Sequence, residues 1–299
     1  MDGAVKTARL TDGVIELDVT TDFGPRIIRY GFVGGQNLML TIPAELETSG
    51  EPDFKCRGGH RLWVAPEMMP ATYYPDNVPV MVEPWESGLV ATAPVESVGL
   101  QKQMTIELQG EGCVHITHRL WNRGDWPIEV SIWALTMMAP GGLGIAGFPP
   151  RGTHPEMLEP TNPLIMWAFS DFTDERLKIT KKYLTLRQDR AIARPNKFGL
   201  WSRDTWGAYL LNGELFVKRT QADVDWRYPD FGASFEMWVN GDTLELETLS
   251  PLRTLVPGDS MMHYEDWSLL RPAKLDTVSD DAIDRVLPHT VKLDHTATE

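Results

Sequence analysis

Two glutamates on one short run are the first chemical signal in this chain. Glu245 and Glu247 alternate with Leu244, Leu246 and Thr248. On a β-strand the two carboxylates then point to one side, and the better core-forming residues to the other. A carboxyl group held beside another titratable group can take and return a proton, which is general acid/base chemistry. A second signal is Gly58-Gly59-His60-Arg61. Histidine titrates near neutral pH, and the arginine fork can hold a hydroxyl, a carboxylate or a phosphate. Arg26 is a further candidate of the same kind. Tyr73-Tyr74-Pro75-Asp76-Asn77 is a Pro-Asp turn on a loop, and loops on rigid scaffolds often carry function. Tyr74 and Asp76 are its candidate ligand-binding residues. His263, Glu265 and Trp267 alternate on a late strand and share a face that could reach a groove. His118 shares its face with Ile116 and Leu120, which marks a core position, whereas His115 goes with Thr117 and Arg119 toward solvent.

The remaining features exclude several classes. No HExxH-type spacing appears, so no metal is expected. No GxSxG or Walker motif appears either, and Gly141-Gly142-Leu143-Gly144 is too short and too Pro-flanked for a dinucleotide loop. No cofactor is expected. Lys and Arg number 28 against 42 Asp and Glu, a net charge of −14, without the basic footprint of a nucleic-acid binder. An anionic membrane surface is an unsuitable partner for the same reason. Cys56 and Cys113 lie far apart with no CxxC spacing, which reads as two reduced thiols of a cytoplasmic protein. The first residues form no apolar signal segment. Nothing in the sequence sets the oligomeric state.

These groups must be positioned by strands. Ile128–Met138, Leu244–Leu249 and Ser260–Leu270 are β-rich runs, and Leu100–Leu108 returns through Gly110-Glu111-Gly112 as Val114–Trp121. Hairpins at spacings of about ten residues predict an all-β sandwich or barrel. Residues 141–163, rich in Gly and Pro, read as long loops. Asp171–Arg176 reads as a short helix or turn, Asp280–Val286 as a helical turn, and Asp294–Glu299 as a frayed end. With no repeat and no linker, residues 1–299 form one domain, with a core of about residues 12–270 and a C-terminal extension over 271–299.

Several segments together resemble the galactose mutarotase (aldose 1-epimerase) superfamily, in a bacterial branch of it. Phe23-Gly24-Pro25-Arg26-Ile27-Ile28-Arg29-Tyr30 is similar to its opening, with Asn37-Leu38-Met39 closing that strand pair. Gly58-Gly59-His60-Arg61-Leu62-Trp63-Val64-Ala65-Pro66-Glu67 resembles its GGxPxxxP loop. Asn122-Arg123-Gly124-Asp125-Trp126-Pro127-Ile128 resembles its NxGdxPl hairpin. Leu246-Glu247-Thr248, followed by Leu255-Val256-Pro257-Gly258-Asp259-Ser260, resembles the LET strand and the LxPGE turn.

The resemblance implies a galactose mutarotase-like supersandwich of large antiparallel sheets and a small-molecule carbohydrate as partner. It implies that Glu247 is a catalytic base. The family's acid is a histidine on the strand after the NxGdxPl hairpin, but Val130–Met138 has none. His60 is the leading substitute. Glu236 is the other, since Phe235-Glu236-Met237-Trp238 resembles the family's xQxY strand. Candidate substrate-binding residues are Arg61, Arg26, Tyr74, Asp76, Lys218, Asp230, Trp238 and Trp267. The expected function is an aldose 1-epimerase-like or related sugar isomerase. The alternative is a non-catalytic carbohydrate-binding protein that uses the same groove. Some of the eleven tryptophans would then line that groove, since an indole is a rigid apolar platform for a sugar face.

Overall fold

The computed structural model describes residues 5–46, 50 and 52–288; the Asp294–Glu299 end falls outside them. Strand makes up 47% of the structure and helix 4%, so the protein is all-β. In chain order the strands are β1 Thr7–Thr11, β2 Ile15–Thr20, β3 Arg26–Phe32, β4 His60–Ala65, β5 Met81–Trp85, β6 Gly88–Thr92, β7 Leu100–Gly110, β8 Cys113–Asn122, β9 Ile128–Met138 and β10 Leu143–Gly147. Then come β11 Leu164–Met166, β12 Leu177–Ile179, β13 Tyr183–Arg187, β14 Asn196–Leu200, β15 Asp204–Leu211, β16 Glu214–Gln221, β17 Phe235–Val239, β18 Leu244–Leu249, β19 Arg253–Leu255 and β20 Ser260–Leu270. Two short helices, α1 Pro43–Leu46 and α2 Asp280–Val286, complete the described elements.

The strands form two 10-stranded sheets. The first runs β1-β2-β3-β4-β9-β18-β17-β14-β11, with β19 joined to β9, and the second runs β12-β13-β10-β15-β16-β20-β8-β7-β6-β5. Turn chemistry sets the pairings. Between β7 and β8, Gly110, Glu111 and Gly112 all have positive φ, which glycine adopts without steric cost. Between β17 and β18, the Asn240 side chain accepts the N–H groups of Asp242 (2.8 Å) and Thr243 (3.0 Å). That Asx turn fixes the register of the two strands.

One expectation is corrected. The 141–163 stretch is not all loop, because Leu143–Gly147 is β10, buried along its whole length between β13 and β15. Of the two readings of Asp171–Arg176, the turn is the one found. Strands β11 to β14, unmarked by hydrophobic alternation, extend both sheets. The expected helical turn at Asp280–Val286 is α2; its Ile283 packs with Leu143, Trp206 and Val217 on the outer face of the second sheet.

The core lies between the sheets. Leu17, Leu62, Ile132 and Leu246 of the first meet Met104, Ile116, Phe216 and Trp267 of the second. A polar network runs through its centre. The Lys218 ammonium, on β16, sits 2.7 Å from Glu265 Oε1 and donates to Thr136 Oγ1 (3.0 Å) and the Ala134 carbonyl (3.1 Å). The Trp267 indole donates to Glu265 Oε2 at 2.8 Å, and the Thr248 hydroxyl donates to Oε1.

Because that hydroxyl proton is used, His263 Nε2 must be the donor in its 2.8 Å bond to Thr248. His118 Nδ1 faces the His263 carbonyl at 3.2 Å, so it carries a proton and His118 Nε2 accepts. His60 Nε2 then donates to His118 Nε2 at 2.7 Å, while His60 Nδ1 accepts from Thr136 at 2.9 Å. One protonation pattern satisfies every group: one cation, one anion and three neutral imidazoles.

Burial drives all three histidines below their ordinary range: His60 well below it, His118 to about 4 and His263 to about 3. The unfolded chain takes up protons below about pH 6.5 while the folded chain still refuses them. The stability these rings confer is therefore complete above about pH 6.5 and is lost as pH falls toward 4. Urea melts should show a loss of roughly 2 kcal/mol per histidine between pH 7.5 and pH 5; an unchanged midpoint over that window would contradict the neutral network. Lys218→Met should cost about 3–5 kcal/mol by stranding Glu265, and Lys218→Met with Glu265→Leu distinctly less.

Candidate functional site

The outer face of the first sheet carries a different set of side chains. Gly58 and Gly59 lead into β4 with positive φ, and a Cβ on either would lie 2.3–2.4 Å from the Leu40 or Ile27 carbonyl oxygen. Only glycine allows that approach. It places Arg61 and Trp63 outward and His60 and Leu62 inward. The pleat and the registers then build three transverse rows on the outer face. Trp63, Trp133 and Leu249 form the first. Arg61, Leu135, Glu247, Glu236 and Gly199 form the second. Met137, Glu245, Trp238 and Lys197 form the third.

Loops roof this face. Phe54 and Tyr73 pack edge-on against Trp63 at 5.3 and 4.9 Å, and Trp63 meets Trp133 at 5.5 Å. Trp167 and Phe169 close another side. Beneath them is a cavity of about 370 Å³ floored by Arg61, Leu135, Glu245 and Glu247. A second chamber of about 690 Å³ adjoins it and shares Trp238 and Glu245 as wall.

Lys197 sits at the centre of the charges. Its ammonium is 2.6 Å from Glu236 Oε2 and 2.9 Å from Glu247 Oε2, so those two oxygens lie no more than 5.5 Å apart. The ring centroids of Trp133 and Trp167 lie 4.7 and 4.6 Å from it. Burial opposes the charge on Lys197, but the two carboxylates outweigh it and raise its pKa. Glu247 Oε2 also accepts the Trp133 indole N–H at 2.9 Å, while Oε1 is buried without a partner.

Burial raises Glu236 well above the carboxylate range, and Lys197 only partly offsets it. Burial raises Asp230 as well, against a hydrogen bond with Glu236. Glu245 is raised by burial against the pull of Arg61. Directly opposed carboxylates on neighbouring strands repel. Lys197 bridges Glu236 and Glu247, and burial favours the protonated form of Glu236, both of which ease that repulsion.

Of the residues singled out in the sequence, Glu247, Glu236, Arg61 and Trp238 meet around this face, and Asp230 reaches Glu236 from the loop after β16. His60 does not join them. It follows Gly59 on β4 with its ring in the inter-sheet core, fully buried, on the other face from Glu247. Alternation within the strand therefore removes it as the partner acid. Lys218, His263, Glu265 and Trp267 are inward for the same reason and cannot reach the groove. Arg26 is fully buried, pairs with Asp76 at 2.6 Å, and donates to the carbonyls of Cys56 and Gly58. Both residues brace the loop before β4. The Tyr74 hydroxyl accepts the Ser97 N–H (3.0 Å), and its neighbour Tyr73 lines the cavity instead.

Lys197, Trp133 and Trp167 are the site residues that spacing did not reveal. The one signal for Lys197 was a lysine alternating with Asn196, Phe198 and Leu200. Among the described residues one cluster has metal-like spacing: ligand atoms of His60, His118 and Glu265 lie within 4.8 Å of one another. Each already has a hydrogen-bond partner and Lys218 shares the carboxylate, so the set is satisfied without an ion.

The fold is the galactose mutarotase-like one. A galactose mutarotase-like protein from Lactobacillus casei ATCC 334 superimposes with a TM-score of 0.57 at 8% identity, over 89% of this chain and 100% of that one. The protein Slr1438 from Synechocystis sp. PCC 6803 gives 0.60 at 11% identity, over 91% and 99%. A galactose mutarotase related enzyme from Lactobacillus acidophilus gives 0.52 at 9%, over 89% and 98%. No family profile and no curated protein sequence matches the chain. No described helix is long and apolar enough to cross a membrane.

Arg61 is 3% exposed, and its Nε and Nη1 have no partner. A buried, under-paired cation is a stability liability. Arg61→Met should therefore leave the thermal midpoint unchanged or raise it, by about 1 kcal/mol of stability. A loss of several kcal/mol would show that Arg61 is paired in a way the geometry does not reveal.

Proposed function

We propose that this protein is a carbohydrate-active enzyme that opens and closes the ring of a reducing sugar, in the manner of an aldose 1-epimerase. The observation that carries the reading is the Glu236–Glu247 pair. The two sit directly opposite each other on a buried, aromatic-walled face, and their environments differ in what they do to a proton.

Glu247 accepts the O1–H proton through its unpartnered Oε1. As the C1–O5 bond breaks, its electron pair goes to O5, and the carboxyl of Glu236 delivers a proton there. C1 becomes a carbonyl carbon, the C1–C2 bond rotates, and the reverse steps close the other anomer. Acid and base must both lie within hydrogen-bond reach of one ring, and the shared contact with Lys197, which holds the two Oε2 atoms no more than 5.5 Å apart, keeps the two carboxyl groups that close together. Trp63, Trp133 and Trp238 supply apolar platforms for the sugar faces. Lys197 holds the two carboxyl groups together, and the Trp133 indole bonds Glu247.

A second reading, a non-catalytic sugar-binding protein, is favoured by one fact: Lys197 engages one oxygen of each carboxyl group before any ligand is present. Saturation-transfer NMR of anomer exchange separates the readings. Faster exchange by wild type over an aldose and uronate panel is expected, reduced about 100-fold or more in Glu247→Gln and in Glu236→Gln. Binding without acceleration would establish the second reading, and no binding would remove both.

A further inference from the structure

The cavity beside Glu247 has an unbalanced charge. Arg61 is 3% exposed, and its Nε and Nη1 have no partner. Its single polar contact, from Nη2 to Glu245 Oε1, is 3.5 Å. Charge-assisted pairs of this kind normally close to about 2.7–2.9 Å. One face of the guanidinium is taken by Trp63, whose ring centroid lies 4.2 Å away. Among the described residues Glu245 is the carboxylate paired with it, and that contact is long and uses one nitrogen of the guanidinium; a buried cation so loosely paired is costly, so two donor nitrogens are left for a ligand. The other cation of the cavity, Lys197, is already committed to Glu236 and Glu247. Among the described residues that line the cavity, Arg61 is therefore the cation with donor nitrogens left for a ligand.

We infer that the ligand of this cavity carries a single carboxylate set against Arg61: a uronic acid, rather than a neutral hexose or a sugar phosphate. This rests on the carbohydrate reading above. The stoichiometry of charge makes the choice. A phosphate group carries close to two negative charges at neutral pH, and the cavity offers it no second free cation. A neutral hexose would leave the guanidinium with only its long contact to Glu245. Glu245 does not block the carboxylate, since burial favours its protonated form, which can donate a hydrogen bond to the incoming anion. The anomeric end of the same sugar would lie over Glu247 and Glu236, which follow Leu135 in the row that begins at Arg61.

Titration calorimetry at pH 7.5 tests this with D-galacturonate and D-glucuronate, their methyl esters, the parent hexoses and the hexose 6-phosphates. Each uronate should bind wild type at least ~10-fold more tightly than its own methyl ester, the factor of one charge-assisted hydrogen bond. Arg61→Gln should abolish that preference, the acid then binding no more tightly than its ester. The acid-versus-ester comparison uses wild type alone, so it decides the matter even if Arg61→Gln does not fold. Equal affinity for acid and ester, or tightest binding of a 6-phosphate, overturns the inference and leaves the carbohydrate reading standing. No binding by any sugar overturns both.

Discussion

The Lys218–Glu265 pair is the constraint on which the rest of the molecule depends. It lies fully buried between two sheets that otherwise meet through hydrocarbon. An isolated charge there would be intolerable, so each ion is satisfied many times over: the ammonium by hydroxyl and backbone oxygens, the carboxylate by an indole and a threonine. These partners come from both sheets. Thr136 and Thr248 belong to the first, while Lys218, Glu265 and Trp267 belong to the second. Fixing the hydrogen bonds thus fixes how one sheet sits on the other, and the histidine chain continues that stitching toward β4.

That stitching bears directly on the site. Thr136 and Thr248 occupy β9 and β18, and Leu135 and Glu247 are their sequence neighbours on the opposite face. The floor of the cavity is therefore the reverse side of the network. Holding Thr248 from below holds Glu247 from behind, with both side chains rooted in a central strand rather than in a loop. A rigid floor is what preorganised acid/base chemistry requires.

The outer face shows how a sheet tolerates crowded acids. Glu236, Glu245 and Glu247 would repel if all were ionised. Burial makes ionisation expensive for Glu236 and Glu245, whereas Glu247 accepts hydrogen bonds from Lys197 and the Trp133 indole. Different protonation of chemically identical groups is a usual mark of functional sites. The same crowding leaves Arg61 half-paired, and a fold that needed stability alone would have filled that position with an apolar side chain.

The amino-acid order by itself determined the all-β class, most of the hairpins, and the pairing of Glu245 with Glu247 on one strand face, because these follow from a period of two and from local turn chemistry. The co-linear segments around Gly58-Gly59, Asn122–Ile128 and Leu246–Thr248 also carried the galactose mutarotase-like fold, since each is a local backbone requirement. Tertiary structure alone decided which face was which. His60 and Arg61 are adjacent in sequence, and nothing local says that the ring goes to the core and the guanidinium to the cavity. Lys218 and Trp267 looked like groove residues because a lysine or tryptophan on a strand gives no hint of a buried carboxylate partner. Lys197, some fifty residues from Glu247, could be found only once β14, β17 and β18 were laid side by side. Alternation is written in the chain, but which side is covered, and by what, depends on contacts between residues far apart along it.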